Sequence, residues 1–200
     1  MSIIYTIGHS NYQLEYFLKL LNVFKINIIV DVRGIPYSKY ASQYNKESIQ
    51  RYLQKNNIQY IFMGEELGAR SKDPSLYSLG GKLNFEQLSK TKLFNIGIDR
   101  IKNGINKGYN IAIMCTEKEP IDCHRSILVA RKLHDQGIEI YHILENGNHK
   151  THKQLEQELL DFYFTERMQI SLFEENNYMN LIEKAYLCKN KEIGYTYQKV

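Results

Sequence analysis

Short apolar runs alternate with amphipathic stretches along most of the chain. Residues 3–7, 28–32, 58–63, 111–114 and 138–143 are apolar, most of them rich in β-branched side chains, and bounded by glycine or polar residues. Runs of that length and composition predict buried strands. Between them apolar residues return at helical spacing: Leu14, Phe17, Leu21 and Phe24; Ile49, Tyr52 and Leu53; Phe94, Ile98, Ile101 and Ile105; Ile127, Ala130 and Leu133; Leu155, Leu159 and Phe162. Helix starts are expected at Ser10 with Gln13, Asn84 with Gln87 and Thr151 with Gln154, which have the form of capping boxes, and at Asn45 and Asp122 as simple caps. Gly108 and Gly137 stand where a helix end calls for a left-handed residue.

Strands alternating with helices predict a parallel sheet covered on both faces. The expected fold is α/β: a single three-layer domain over residues 1–163, with a mostly parallel sheet of about five strands flanked by helices. Residues 164–200 are expected to form a helical C-terminal extension, with Leu181, Ile182 and Ala185 marking its helix, serving as a packing appendage or an oligomer contact. There are no internal repeats.

Polar residues gather at one end of these strands. The first exits into Gly8-His9-Ser10-Asn11, the second carries Asp31 and Arg33 before Pro36-Tyr37-Ser38, the third exits into Gly64-Glu65-Glu66, and the fourth into Cys115-Thr116-Glu117. In open α/β sheets ligands bind at the carboxyl ends of the strands. Asp31 and Arg33 two residues apart read as a salt bridge at the strand mouth, with a site role for at least one of them, because an unpaired buried charge is costly. Tyr37, Lys39, Tyr40 and Tyr44 interleave aromatics with a base, a pattern that suits nucleotide rings and equally a surface loop. Residues 64–84, with four glycines and a proline, are expected to form a flap over the strand ends.

The stretch from Cys115 to Arg125 holds the densest chemistry. With Asp122 as cap, Cys123, His124 and Arg125 fall in the first turn of a helix, where free N–H groups and the dipole attract anions. Arg125 adds a planar fork for phosphate or carboxylate. Successive helix residues diverge by about 100°, so Arg125 is expected to line the pocket and His124 to be partly structural. The dipole favours thiolate at Cys123 while Asp122 opposes it; Cys115 is a core residue or a nucleophile. Glu117 is a candidate general acid or base. The Cys-x7-Cys-His spacing matches no usual zinc pattern and would need His9 or His149 to complete it, so no metal ligands are assigned. A tyrosine-phosphatase-like loop fails, because Arg125 lies ten residues after Cys115 and two after Cys123.

Composition narrows the classes. The 43% apolar content fits a globular chain, and a net charge of +4 permits an anionic partner. No 18-residue apolar stretch predicts a membrane helix, no secretory signal is visible, and three cysteines argue against a disulfide scaffold, so a cytoplasmic protein is expected.

These residues resemble a known family, the one catalogued as domain of unknown function 488. The resemblance rests on Gly8-His9-Ser10; on Asp31, Arg33, Pro36 and Ser38; on Leu67-Gly68; on Cys115, Glu117, Pro120, Cys123, His124, Arg125 and Ser126; and on His142, Ile143 and Gly147. It covers residues 1 to about 160 and implies a small α/β domain of prokaryotic type, without an established reaction. The expected function is an enzyme, hydrolase-like or cleaving a glycosidic bond, acting on a phosphate-bearing nucleotide or nucleic acid. Asp31, Glu117, Cys115, Cys123 and His9 are the candidate catalytic residues. Arg33, Arg125, His124, Ser10, Ser38 and Tyr37 are the candidate binding residues, and no cofactor is required. The alternatives are a non-catalytic nucleotide or nucleic-acid binding module, and a thiol, redox or metal-dependent protein using Cys115 and Cys123.

Overall fold

The computed structural model describes residues 3–164 and 175–197. Strands β1 (Ile3–Gly8), β2 (Ile28–Asp31), β3 (Gln59–Phe62), β4 (Ile111–Cys115), β5 (Glu139–Ile143) and β6 (His149–Thr151) form one sheet in the order β3-β2-β4-β1-β5-β6. Every pairing is parallel except the β5–β6 hairpin. The fold is therefore α/β with a mostly parallel sheet, as expected, with one strand more than anticipated. β6 has only three residues and shows no alternation of its own; the visible signal was Asn146-Gly147, whose glycine takes a φ of 81° to close the turn.

Alternate side chains of each strand feed two cores. Ile7, Ile29, Ala112 and Met114 meet Phe17, Leu20 and Leu21 of α1 (Leu14–Val23) and Ile49 and Leu53 of α2 (Lys46–Lys55). Ile4, Val30, Ile113 and Ile140 meet the other face. That face is covered by α5 (Lys92–Asn106), the segment after β4, α7 (His152–Tyr163) and α8 (Glu175–Ile193). The short helices α3 (Gly64–Leu67), α4 (Phe85–Ser89) and α6 (Arg131–His134) complete the set.

The capping box at Ser10 does not form. Ser10 has a φ of 47°, its hydroxyl meets Asn11, and α1 begins four residues later without a side-chain cap. Burying three large apolar side chains at about 1.5–3 kcal/mol each outweighs the roughly 1 kcal/mol a cap supplies. Asn45 caps α2 only in its backbone, since its side chain accepts from the Ser38 N–H at 2.7 Å. The box at Thr151 and Gln154 is formed, and Asn84 accepts from the Gln87 N–H. The helix expected from Asn84 onward is two, because Thr91 starts α5 by accepting from the Phe94 N–H. Phe162, expected inward, is 63% exposed. The boundary expected at 163/164 adjoins residues 165–174, which lie outside the described part.

Residues 64–84 are more ordered than a flap. They contain α3, a 3-10 turn at Pro74–Leu76 and a bridge between Tyr77 and Leu83. The C-terminal tail holds them down. Leu83 donates to the Tyr195 carbonyl, Tyr197 to that of Gly81, and Asn190 bonds both Leu83 and Phe85.

Candidate functional site

The strand order places β4 between β2 and β1. The chain leaves β1 and β2 toward the face of α1 and α2, but leaves β4 toward the opposite face. Both flanks of β4 are thus topological switch points, where loops diverge and open a crevice at the carboxyl ends. His9, Asp31, Arg33, Cys115 and Glu117 all lie at this rim, but they divide into two clusters.

The first cluster is a buried ion pair with its supports. Asp31 accepts from Arg33 Nε at 2.9 Å, Arg33 Nη2 at 2.6 Å, the Arg33 backbone N–H and the Tyr60 hydroxyl at 2.6 Å. Arg33 Nη2 also donates to the Tyr44 carbonyl, and Nη1 to His9 Nε2 at 3.0 Å. His9 Nδ1 donates to the Ser10 carbonyl and its ring stacks 4.1 Å from that of Tyr44. Burial, then the Arg33 charge, hold His9 down at about 4, so it is neutral. Asp31 is spent on Arg33 and Tyr60, which makes it an anchor of this rim. Tyr44, expected in a surface segment, is fully buried.

The second cluster carries the reactive groups. Cys115 ends β4, and Pro120–Asp122 forms a 3-10 turn that brings Cys123 and His124 back over it. The Cys115 and Cys123 thiols both reach Glu117 Oε2, at 3.0 and 2.9 Å, and Cys115 Sγ lies 3.6 Å from His124 Nδ1. His124 Nε2 lies 3.0 Å from the Val32 carbonyl, which can only accept, so Nε2 carries a proton and Nδ1 faces the sulfurs. One ligand atom from each of Cys115, Glu117, Cys123 and His124 falls within 4.8 Å of the others. Glu117 is exposed along its stem while its carboxylate turns inward, and burial followed by the charge of Cys123 raises its pKa. Burial and the neighbouring Cys123 and Glu117 push Cys115 up. Cys123 is opposed by burial but drawn down by the Cys115 contact, Arg125 and His124, so its pKa is lowered where that of Cys115 is raised. Burial lowers His124, and its Cys123 and Glu117 contacts more than restore it.

Arg125 departs from expectation. It is 0% exposed, and its guanidinium donates to the carbonyls of Glu117 at 2.5 Å and Lys118 at 3.0 Å. It lines no cavity at the rim; it clamps the β4 loop from behind, with Nε unpartnered among the described residues. Asp122 is not the cap either. It pairs with Lys189 at 3.0 Å, and Cys123, in extended backbone, precedes a helix that starts at His124 and runs on as a π-helical segment, Arg125–Ala130. Starting the helix one residue later turns every side chain by about 100°. His124 therefore faces the rim, and Arg125 the interior. His149, on β6, stacks on Tyr141 away from both clusters. Ser10 and Ser38 make local turn bonds, and Tyr37, 53% exposed, donates to Glu47.

Above the second cluster lies a cavity of about 200 Å³ walled by Arg33, Cys115, Glu117 and His124, with Ala69, Arg70, Ile193 and Tyr195 on the outer side. It adjoins a groove of about 1150 Å³ that shares Gly34, Ile35, Arg70 and Tyr195 with it and extends to Lys72, Tyr77 and Tyr197. Arg70 stands over the Tyr195 ring at 4.3 Å, is exposed, and has no hydrogen bond or ion pair among the described residues. The sequence places Arg70 only within the segment 64–84 and gives no sign of Tyr195, because nothing in residues 190–197 hints that they fold back on the rim.

The fold and rim together define an open α/β domain with a thiol, carboxylate and imidazole cluster at a switch point. The chain belongs to the family described as Domain of unknown function DUF488, whose model matches residues 13–132. The match includes Asp31, Arg33 and the whole Cys115–Arg125 block, while Gly8, His9, Ser10, His142, Ile143 and Gly147 lie outside it. Neither a curated protein nor a solved structure matches the chain.

Proposed function

We propose that this protein is an enzyme of hydrolase type, acting on a small phosphate-bearing substrate in the cavity at the end of β4. The observation that carries the reading is the meeting of Glu117 with His124 and Cys115 on the wall of a cavity that Arg70 also lines, a cation stacked on Tyr195 with no hydrogen bond or ion pair among the described residues. Glu117 moves the proton: its raised pKa brings it toward the range where a carboxylate serves as general acid or base near neutrality. Arg70 holds the anion, the part the sequence assigned to Arg125. Arg33 reaches the same cavity with its charge fixed by Asp31.

Purified protein is assayed against nucleotides, sugar phosphates and oligonucleotides. Glu117→Gln is expected to lower kcat by about 10²–10⁴-fold, and Arg70→Ala to raise KM with kcat less affected. Wild-type turnover in Glu117→Gln, or no turnover of any phosphate ester by the wild type, sinks the reading. A thiol-transfer reading draws support from one observation, that both sulfurs touch the same carboxylate oxygen. It predicts loss of function on conversion of Cys115 and Cys123 to a disulfide.

A further inference from the structure

We infer that Cys115, Cys123 and His124 bind one thiophilic divalent cation, zinc in the first place, with Glu117 at the fourth corner on the cavity side. This deepens the reading above and rests on it only in taking the same cavity as the working site. The donor set is two sulfurs, one imidazole nitrogen and one carboxylate oxygen, all within 4.8 Å of one another. Soft S₂N sets select zinc over magnesium or calcium, which take oxygen. Zinc bonds of about 2.3 Å to sulfur and about 2.0–2.1 Å to nitrogen or oxygen give a tetrahedron with edges of roughly 3.3–3.8 Å. The S···N contact of 3.6 Å already matches such an edge; the S···O contacts of 2.9 and 3.0 Å would open by about half an ångström, and the widest donor pairs, which reach up to 4.8 Å, would close by about 1 Å.

Three further features favour a metal over a mere polar cluster. The His124 Nε2–H···O=C bond to Val32 is the outer contact that metal-binding imidazoles keep, and it leaves Nδ1 aimed at the sulfurs. Both cysteines are buried, on backbone fixed by β4 and by the turn at Pro120–Asp122, so the set is preorganised. Asp122, which lines the same cavity, is not in the donor group and pairs with Lys189 at 3.0 Å. The usual sequence spacing of zinc ligands is absent because the fourth donor, Glu117, comes from inside the loop that the two cysteines bracket. Glu117 is also the one exposed ligand, so it is the one that can exchange with water from the cavity; a cation there would polarise that water or a substrate oxygen, and Glu117, once displaced from the metal, would be free for the proton transfer assigned to it above.

Protein freed of metal by chelation is titrated with Co²⁺ and Zn²⁺. One equivalent per chain is expected, with thiolate-to-cobalt charge transfer and the visible bands of a tetrahedral site. Cys123→Ser and His124→Gln should each lose more than the roughly 10–100-fold affinity that removal of a supporting bond costs, while Cys188→Ser keeps it. As these substitutions can unsettle a buried cluster, the wild type is also alkylated with and without Zn²⁺. Bound zinc should protect Cys115 and Cys123, with Cys188 unprotected. Absence of stoichiometric uptake, of thiolate charge transfer or of protection overturns the inference. Uptake without turnover of any phosphate ester retains the metal site and discards the hydrolase reading; turnover by the wild type without stoichiometric uptake of either metal does the reverse.

Discussion

Arg125 shows how far a single residue's role depends on one step of helix register. The sequence supports a surface fork for anions, whereas the fold uses the guanidinium to tie two carbonyls of the β4 loop from within the core. Replacing it by alanine strips charge-assisted hydrogen bonds and strands two carbonyls. Arg125→Ala is accordingly expected to destabilise the protein by about 1.5–3 kcal/mol, read as a lower urea midpoint. A variant of unchanged stability that had lost anion binding would return Arg125 to the pocket. His124, read as a binding candidate of partly structural role, is the member of the pair that meets the two thiols and Glu117, and the physical reason is the same rotation of about 100°.

At the level of elements, the strands and most of the helices were readable because β-branched runs and helical periodicity record burial directly. Such signals say which face of an element is inside, but not where a helix starts to within one residue. That is why the Thr151 box was right, the Ser10 box was wrong and Asp122 was misplaced. The carboxyl-end location of the site was legible, since four strands exit into polar residues. Its membership was only partly so: the pairing of Asp31 with Arg33 shows in the sequence, whereas the meeting of Glu117 with both thiols depends on a 3-10 turn that carries no strong pattern. One glycine makes that meeting achievable. A Cβ on Gly8 would sit 1.9 Å from the Glu117 carbonyl oxygen, so β1 and the β4 loop can touch only where a side chain is missing. Gly8→Ala is expected to force the loop outward at a cost of about 1–3 kcal/mol and to speed alkylation of Cys115 and Cys123; wild-type stability together with wild-type alkylation rates would contradict that contact.

Across the whole molecule, acid should be the weak flank. Thr6, His142, His152, Tyr186 and Glu156 form a buried line of hydrogen bonds running from β1 through β5 and α7 to α8. Burial, followed by His134 and Arg131, holds His152 at about 3 against an ordinary 6.5. Burial and His152 hold His142 well below that value as well, and His9 at the rim stands at about 4. All three are neutral when folded and take up protons when unfolded, so their contribution is complete above pH 6.5. It is lost as pH falls from there toward about 4 for His9 and about 3 for His152. Each such histidine adds a slope of up to roughly 1.4 kcal/mol per pH unit in that range. Urea titrations between about pH 7.5 and about pH 5 test this: stability should drop steeply, and His152→Gln should flatten the drop. A profile that is flat below pH 6.5 in the wild type would show these imidazoles are not held neutral.

The tail that crosses Leu83 and Gly81 also divides the cavity between distant parts of the chain. Tyr195 and Ile193 wall it on one side, while Cys115 and Glu117 belong to β4 and the loop that follows it. Grafting a different final segment would reshape the opening and leave the cluster at the end of β4 where it is.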